Sequence, residues 1–98
     1  MWILKGSGPE TDVFTFRVSH GAVKTIGRAP RADFIVDAAL VSRLHCRIEA
    51  GHNDIAVVDL SSTNGTYVND IKVERAKLAA GDRLRVGRVE LLVERQTD

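Results

Sequence analysis

Apolar and polar positions alternate along most of this chain, and no stretch carries apolar residues at the spacing of a long amphipathic helix. In Val13-Phe14-Thr15-Phe16-Arg17-Val18 the residues Phe14, Phe16 and Val18 fall on one face; in His45-Cys46-Arg47-Ile48-Glu49, Cys46 and Ile48 do. Both segments predict half-buried strands. Residues 2–4, 22–26, 33–36, 55–60, 66–68, 71–73, 83–86 and 89–94 predict further short strands. Turn-forming residues separate them: 6–9, Ser19-His20-Gly21, Gly51-His52-Asn53-Asp54, the two-residue candidate Asn69-Asp70, and Gly87-Arg88. Residues 74–80 are rich in helix formers, but the stretch is short, lacks an N-cap and stops at Gly81-Asp82, so no helix is assigned. Ten or so short strands without a long helix predict an all-β sandwich of two antiparallel sheets. A single domain over residues 1–98 is expected, with 94–98 as a polar tail or linker.

One stretch stands apart from the alternation. Leu60-Ser61-Ser62-Thr63-Asn64-Gly65-Thr66-Tyr67-Val68-Asn69 is dense in hydroxyls and amides, which makes it poor core material. Asn64-Gly65 suits a tight turn because both residues tolerate positive φ. A hairpin accounts for that dipeptide but not for the three hydroxyls before it. Small donors on a sharply curved loop held by a rigid scaffold suit the binding of an anion.

Composition narrows the function classes. At 98 residues the chain has room for one hydrophobic core; 44% of residues are apolar and 28% charged, as in ordinary globular proteins. A net charge of +1 gives no broad electrostatic footprint for nucleic acid or membrane, so anion recognition should be local. The one cysteine, Cys46, allows neither an intramolecular disulfide nor a Cys-based metal site and reads as a small buried hydrophobe. No run approaches the length of a membrane span or signal peptide, and a cytoplasmic location is the default expectation. No cofactor and no metal is expected.

Two other segments offer anion chemistry. Arg28 follows Gly27 at a strand end; its guanidinium fork can grip a phosphate bidentately, and the glycine would let backbone approach a ligand closely. A solvated surface arginine is the plainer reading. Ser42 and Arg43 together offer a hydroxyl, an exposed amide and a second cation. His45 reads first as a buried imidazole whose two nitrogens orient neighbouring loops.

Taken together, Gly27-Arg28, Ser42-Arg43-Leu44-His45, Asp59-Leu60-Ser61-Ser62-Thr63-Asn64-Gly65-Thr66-Tyr67-Val68-Asn69, Gly81-Asp82 and Val86-Gly87 resemble the signature of the forkhead-associated (FHA) domain in order and spacing. The resemblance covers roughly residues 13–93. It implies an eleven-stranded β-sandwich that binds phosphothreonine peptides through loops at one end. By the same resemblance, Arg28 and Ser42 would hold the phosphate, with Arg43 assisting through its amide or side chain. Thr63 would donate to the phosphate or line the cleft beside the phosphothreonine methyl, and Asn64 would bond the ligand backbone. Gly27, His45, Gly65 and Asn69 would be architectural. The loop before Ser42, which includes Leu40 and Val41, would read the third residue after the phosphothreonine and, being apolar, would favour an aliphatic one there. The implied partner is a phosphothreonine-containing protein, and such domains are commonly joined to others.

Rival readings are weaker. Ser42, His45 and Asp59 spell the letters of a hydrolase triad, but a triad is defined by geometry, and no nucleophile elbow, metal cluster or Walker loop accompanies them. Arg83, Arg85 and Arg88 raise nucleic-acid binding as a remote alternative; their alternating positions suit a solvated face with no aromatic platform for bases. A phosphate-independent interaction module of the same fold is the closer alternative.

Overall fold

The computed structural model describes residues 1–8 and 11–97. Among these, eleven strands and no helix occur: β1 (Trp2–Gly8), β2 (Thr11–Val18), β3 (Val23–Gly27), β4 (Phe34–Ile35), β5 (Cys46–Ala50), β6 (Ile55–Asp59), β7 (Thr66–Val68), β8 (Ile71–Val73), β9 (Arg75–Leu78), β10 (Arg83–Val86) and β11 (Val89–Arg95). They form a six-stranded sheet, β2-β1-β11-β10-β7-β8, facing a five-stranded sheet, β4-β3-β5-β6-β9. All pairs are antiparallel except β3 and β4, which run parallel, a departure from the expected wholly antiparallel sheets. Among the described residues no helix is long and apolar enough to cross a membrane.

Alternation places the core. Leu4, Val18, Ile26, Cys46, Ile48, Ile55, Val57, Leu84, Val86, Leu91 and Val93 point between the sheets and are essentially inaccessible. Each large aliphatic residue so buried stabilises the fold by about 1.5–3 kcal/mol. Burial, helped by the charge of Asp59 and opposed by a bond from Thr66, pushes the Cys46 thiol up to about 12, so it stays protonated and unreactive. At one edge Phe16 stacks on Phe34 with ring centroids 4.4 Å apart, and Phe14 lies 4.7 Å from Phe16. This stack seats β4, and with it the loop leading to Ser42, against the opposite sheet.

The structure revises three sequence expectations. β1 continues through Gly6 to Gly8 where a turn was expected, because the Phe14 ring packs onto Gly6 and leaves no room for a Cβ; Pro9 lies outside the described residues. Residues 75–78 form β9, paired with β6 through Ile55↔Leu78 and Val58↔Arg75. Their helix-forming composition hides a period-two pattern, Ala76 and Leu78 inward against Arg75 and Lys77 outward, and tertiary pairing decides such a case. The last strand reaches Glu94, registered on Ile3, as its alternation predicts, and runs one residue further to Arg95, registered on Trp2, where the tail was expected.

Candidate functional site

The register of the two sheets gathers several connections at one end. Val86 pairs with Thr66, Cys46 with Asp59, and Gly27 with Ile35, so the β3–β4, β4–β5, β6–β7 and β10–β11 connections emerge side by side. Between them lies an open cleft of about 740 Å³ lined in part by Arg28, Leu40, Ser42, Arg43, Thr63 and Asn64. The three segments singled out in the sequence thus meet on one surface.

His45 ties them together. Wholly buried, it accepts a hydrogen bond from the Ser42 backbone N–H at Nδ1 (3.0 Å), which leaves Nε2 to donate to the Gly65 carbonyl at 2.8 Å. The Ser42 hydroxyl in turn accepts the Thr63 N–H at 3.0 Å, and its own hydrogen has no acceptor among the described residues. His45 also donates its backbone N–H to Ile26 and receives that of Leu60. Since Ser42 offers the imidazole its amide rather than its hydroxyl, and the other ring nitrogen faces a carbonyl rather than Asp59, the arrangement is not that of a hydrolytic triad.

Arg28 donates from Nε to the Val41 carbonyl at 3.2 Å, while its backbone N–H reaches the Ser42 carbonyl at 3.0 Å. The terminal guanidinium nitrogens have no ion-pair partner among the described residues. Of the two readings of Gly27, close approach of a ligand and architecture, the packing favours the second. A Cβ there would overlap the Arg43 carbonyl and come within 2.9 Å of Leu44 Cα, so the glycine admits the chain's own β4–β5 segment rather than a ligand. The loop after Arg28 is held by Asp33, which accepts the Thr25 N–H at 2.9 Å and its hydroxyl at 3.2 Å; these bonds, the backbone one foremost, hold the carboxyl below its ordinary value.

The hydroxyl-rich stretch also differs from a hairpin. It carries the chain from β6 in one sheet to β7 in the other, and Asn64 does not adopt positive φ; Ser61 (56°) and Gly65 (88°) do. Asn64 is there for its side chain, whose Nδ2 donates to the Leu40 carbonyl at 3.1 Å and bridges two walls of the cleft. Ser62 turns inward: its hydroxyl donates to Asp59 Oδ1 (2.5 Å) and accepts the Gly65 N–H (3.0 Å), while Thr66 donates to the same carboxylate oxygen at 2.7 Å. Burial alone would raise the Asp59 carboxyl, but the bonds from Ser62 and Thr66 bring it below its ordinary value. Thr63 is left exposed at the rim. Ser62 and Thr66 acquired no role in the sequence reading and Asp59 only that of a rival triad's acid, although an acid three and seven residues before hydroxyls is the pattern of a carboxylate-centred turn.

The remaining candidates divide. Leu40 is 47% exposed and sits at φ 70°, a conformation costing a leucine about 1–2 kcal/mol that its carbonyl's bond to Asn64 helps offset. Val41 is 3% exposed, so only its backbone faces the cleft. Asn69 lies at the far end of β7, donating to Asp82 at 3.1 Å and accepting the Arg83 N–H at 2.9 Å; it braces the Asn69-Asp70 hairpin, both residues at positive φ. Arg83 pairs loosely with Glu90 (3.9 Å), and Arg85 lies 4.2 Å over the Tyr67 ring, an aromatic neighbour the sequence did not reveal. Chemically, the cleft combines one guanidinium with free terminal nitrogens, a second exposed arginine, two available hydroxyls and an amide side chain, a donor set suited to an anion on an extended chain.

Known proteins share this framework. Glycogen accumulation regulator GarA of Mycobacterium tuberculosis is 41% identical over 71 residues, 72% of this chain and 44% of GarA, so the chain spans less than half of that relative. A solved structure of the FhaA FHA domain complexed with the intracellular domain of Rv3910 superposes with a TM-score of 0.86 at 33% identity, covering 96% of this chain and 100% of the other. Another, from work on phosphothreonine-dependent FHA domain interactions, gives a TM-score of 0.84 at 32% identity over 97% of this chain and 98% of its own. The FHA domain family pattern itself matches residues 24–87, which carry every connection that meets at the cleft save the last residues of the β10–β11 turn. With more than half of its length so matched, the chain belongs to the forkhead-associated (FHA) domain family.

Proposed function

We propose that the chain binds phosphothreonine-containing segments of partner proteins in this cleft, as a recognition module without catalytic chemistry of its own. Arg28 and Ser42 hold the phosphate, Arg43 assists with its amide or side chain, Thr63 donates its hydroxyl or flanks the phosphothreonine methyl, and Asn64 bonds the ligand backbone. Leu40 offers an aliphatic surface to a residue beyond the phosphothreonine. Structural likeness to an FHA domain studied for phosphothreonine-dependent interactions supports this reading, as does the regulatory role in the name of GarA.

The observation that carries it is the hydrogen-bond economy of the rim. Groups facing inward are committed to one another through His45 and Asp59, whereas the outer nitrogens of Arg28 and the hydroxyl hydrogen of Ser42, which line one cleft, have no partner among the described residues. A phosphate with about −1.5 to −2 charges accepts such donors strongly. Replacing Arg28 with alanine should weaken binding of a phosphothreonine peptide by about 30-fold or more, the roughly 2–5 kcal/mol of a lost charged contact in a binding site. Stability should fall by only about 1 kcal/mol, the worth of the part-buried bond from Nε to the Val41 carbonyl. Calorimetric titration showing unchanged affinity in Arg28→Ala would remove Arg28 from the site.

A further inference from the structure

The three arginines late in the chain have different surroundings. Arg83 faces Glu90 and Arg85 covers Tyr67, but Arg88, exposed at the tip of the β10–β11 turn, has no acidic or aromatic partner among the described residues. The turn is fixed to the cleft by backbone contact. A Cβ on Gly87 would lie 3.0 Å from the Ala39 carbonyl oxygen and 3.2 Å from that of Leu40. Arg88 is the next residue, its Cα about 3.8 Å farther along the chain, and its long side chain therefore starts beside the exposed Leu40.

Charge along the molecule supports a ligand there. In the connections at the cleft end, Arg28, Arg31, Arg43 and Arg88 are all exposed and none has an ion-pair partner among the described residues. The same connections carry two carboxylates, Asp37 and Asp33, the latter held charged by its bonds from Thr25, and Glu74 adds a third from the β8–β9 connection at this end. The turns at the opposite end carry Asp54, Asp70 and Asp82 and no lysine or arginine. The cleft end is thus the more positive of the two, and a phosphate held by Arg28 and Arg43 leaves Arg31 and Arg88 for other groups of a ligand.

We infer that Arg88 extends the cleft past Leu40 and reads a carboxylate of the bound segment next to the aliphatic residue that Leu40 contacts, so the preferred partner is an acidic phosphothreonine segment. This rests on the phosphothreonine reading above. The test is a set of phosphothreonine peptides sharing one aliphatic position, with Asp-Glu or Asn-Gln placed on either side of it, titrated against the wild type and against Arg88→Gln and Arg88→Lys. One acidic placement should bind about three- to tenfold more tightly than its amide counterpart, as expected for an exposed to half-desolvated ion pair. Arg88→Gln should erase that gain and leave the amide peptide within about twofold of wild type, while Arg88→Lys, which keeps the charge, should retain part of it. Equal binding of acidic and amide peptides by the wild type, or a gain that survives Arg88→Gln, overturns the inference and leaves the phosphothreonine site standing. Failure of every phosphopeptide in the set to bind the wild type overturns both.

Discussion

The two ends of this sandwich solve the same problem, joining strands, by different means. At the end away from the cleft the connections are short turns closed largely by their own backbone: Gly51 N–H to the Asp54 carbonyl, Ala22 N–H to Ser19, Asp82 N–H to Ala79. At the cleft end three of the connections, residues 28–33, 36–45 and 60–65, are longer, and they are held by side chains reaching distant backbone: His45 to Ser42 and Gly65, Ser42 to Thr63, Asn64 to Leu40, Asp33 to Thr25. A turn that closes on itself leaves no donor to spare. A loop held from behind by buried side chains can keep its outer donors free, and that is the condition for binding something else.

If this contrast is right, removing a brace should have consequences that depend on the end from which it is taken. The largest effect belongs to His45→Ala. It deletes two buried hydrogen bonds and opens a cavity, which should cost about 2–4 kcal/mol of stability by chemical unfolding and abolish phosphopeptide binding as well. A His45→Ala variant that keeps wild-type affinity would mean that the cleft loops hold their shape without it. The smaller effect is Asn69→Ala. Losing its bonds to Asp82 and Arg83 should cost about 1 kcal/mol of stability on the same assay and change peptide affinity by less than about twofold. A large affinity loss there would show that the two ends are coupled through β7.

These contrasts also explain what could be read in the sequence. Strands whose inner residues are Phe, Val, Ile or Leu announce themselves by alternation, so the sandwich was legible almost in full. Residues 75–78 were not, because Arg-Ala-Lys-Leu has helical propensity and becomes a strand only through pairing with Val58 to Ile55. At the site, the residues that touch solvent were legible as chemistry, since Arg28, Ser42, Thr63 and Asn64 have no reason to be where they are as core. The supporting residues were harder. Gly27 could be read as a concession to a ligand or as architecture, and what decides between them is a contact with Arg43 and Leu44, 16 and 17 residues away, which no local pattern encodes. Asn64 looked like a turn residue chosen for its backbone and serves as a strut to Leu40, 24 residues distant. Val41 could not be told from Leu40 by composition, yet one is buried and the other exposed, because the left-handed φ of Leu40 turns its side chain out of the alternation. Long-range bracing is what a single sequence conceals most completely.

The account stands on the claim that the free donors at the cleft end serve a phosphorylated threonine. One peptide in three forms, with phosphothreonine, phosphoserine or unmodified threonine, titrated by calorimetry against this chain, tests it most directly. The account predicts measurable saturation with the phosphothreonine form, weaker binding of phosphoserine and none of the unmodified peptide. Equal affinity for the phosphorylated and unmodified forms would contradict it and show a cleft that binds chains without regard to phosphate.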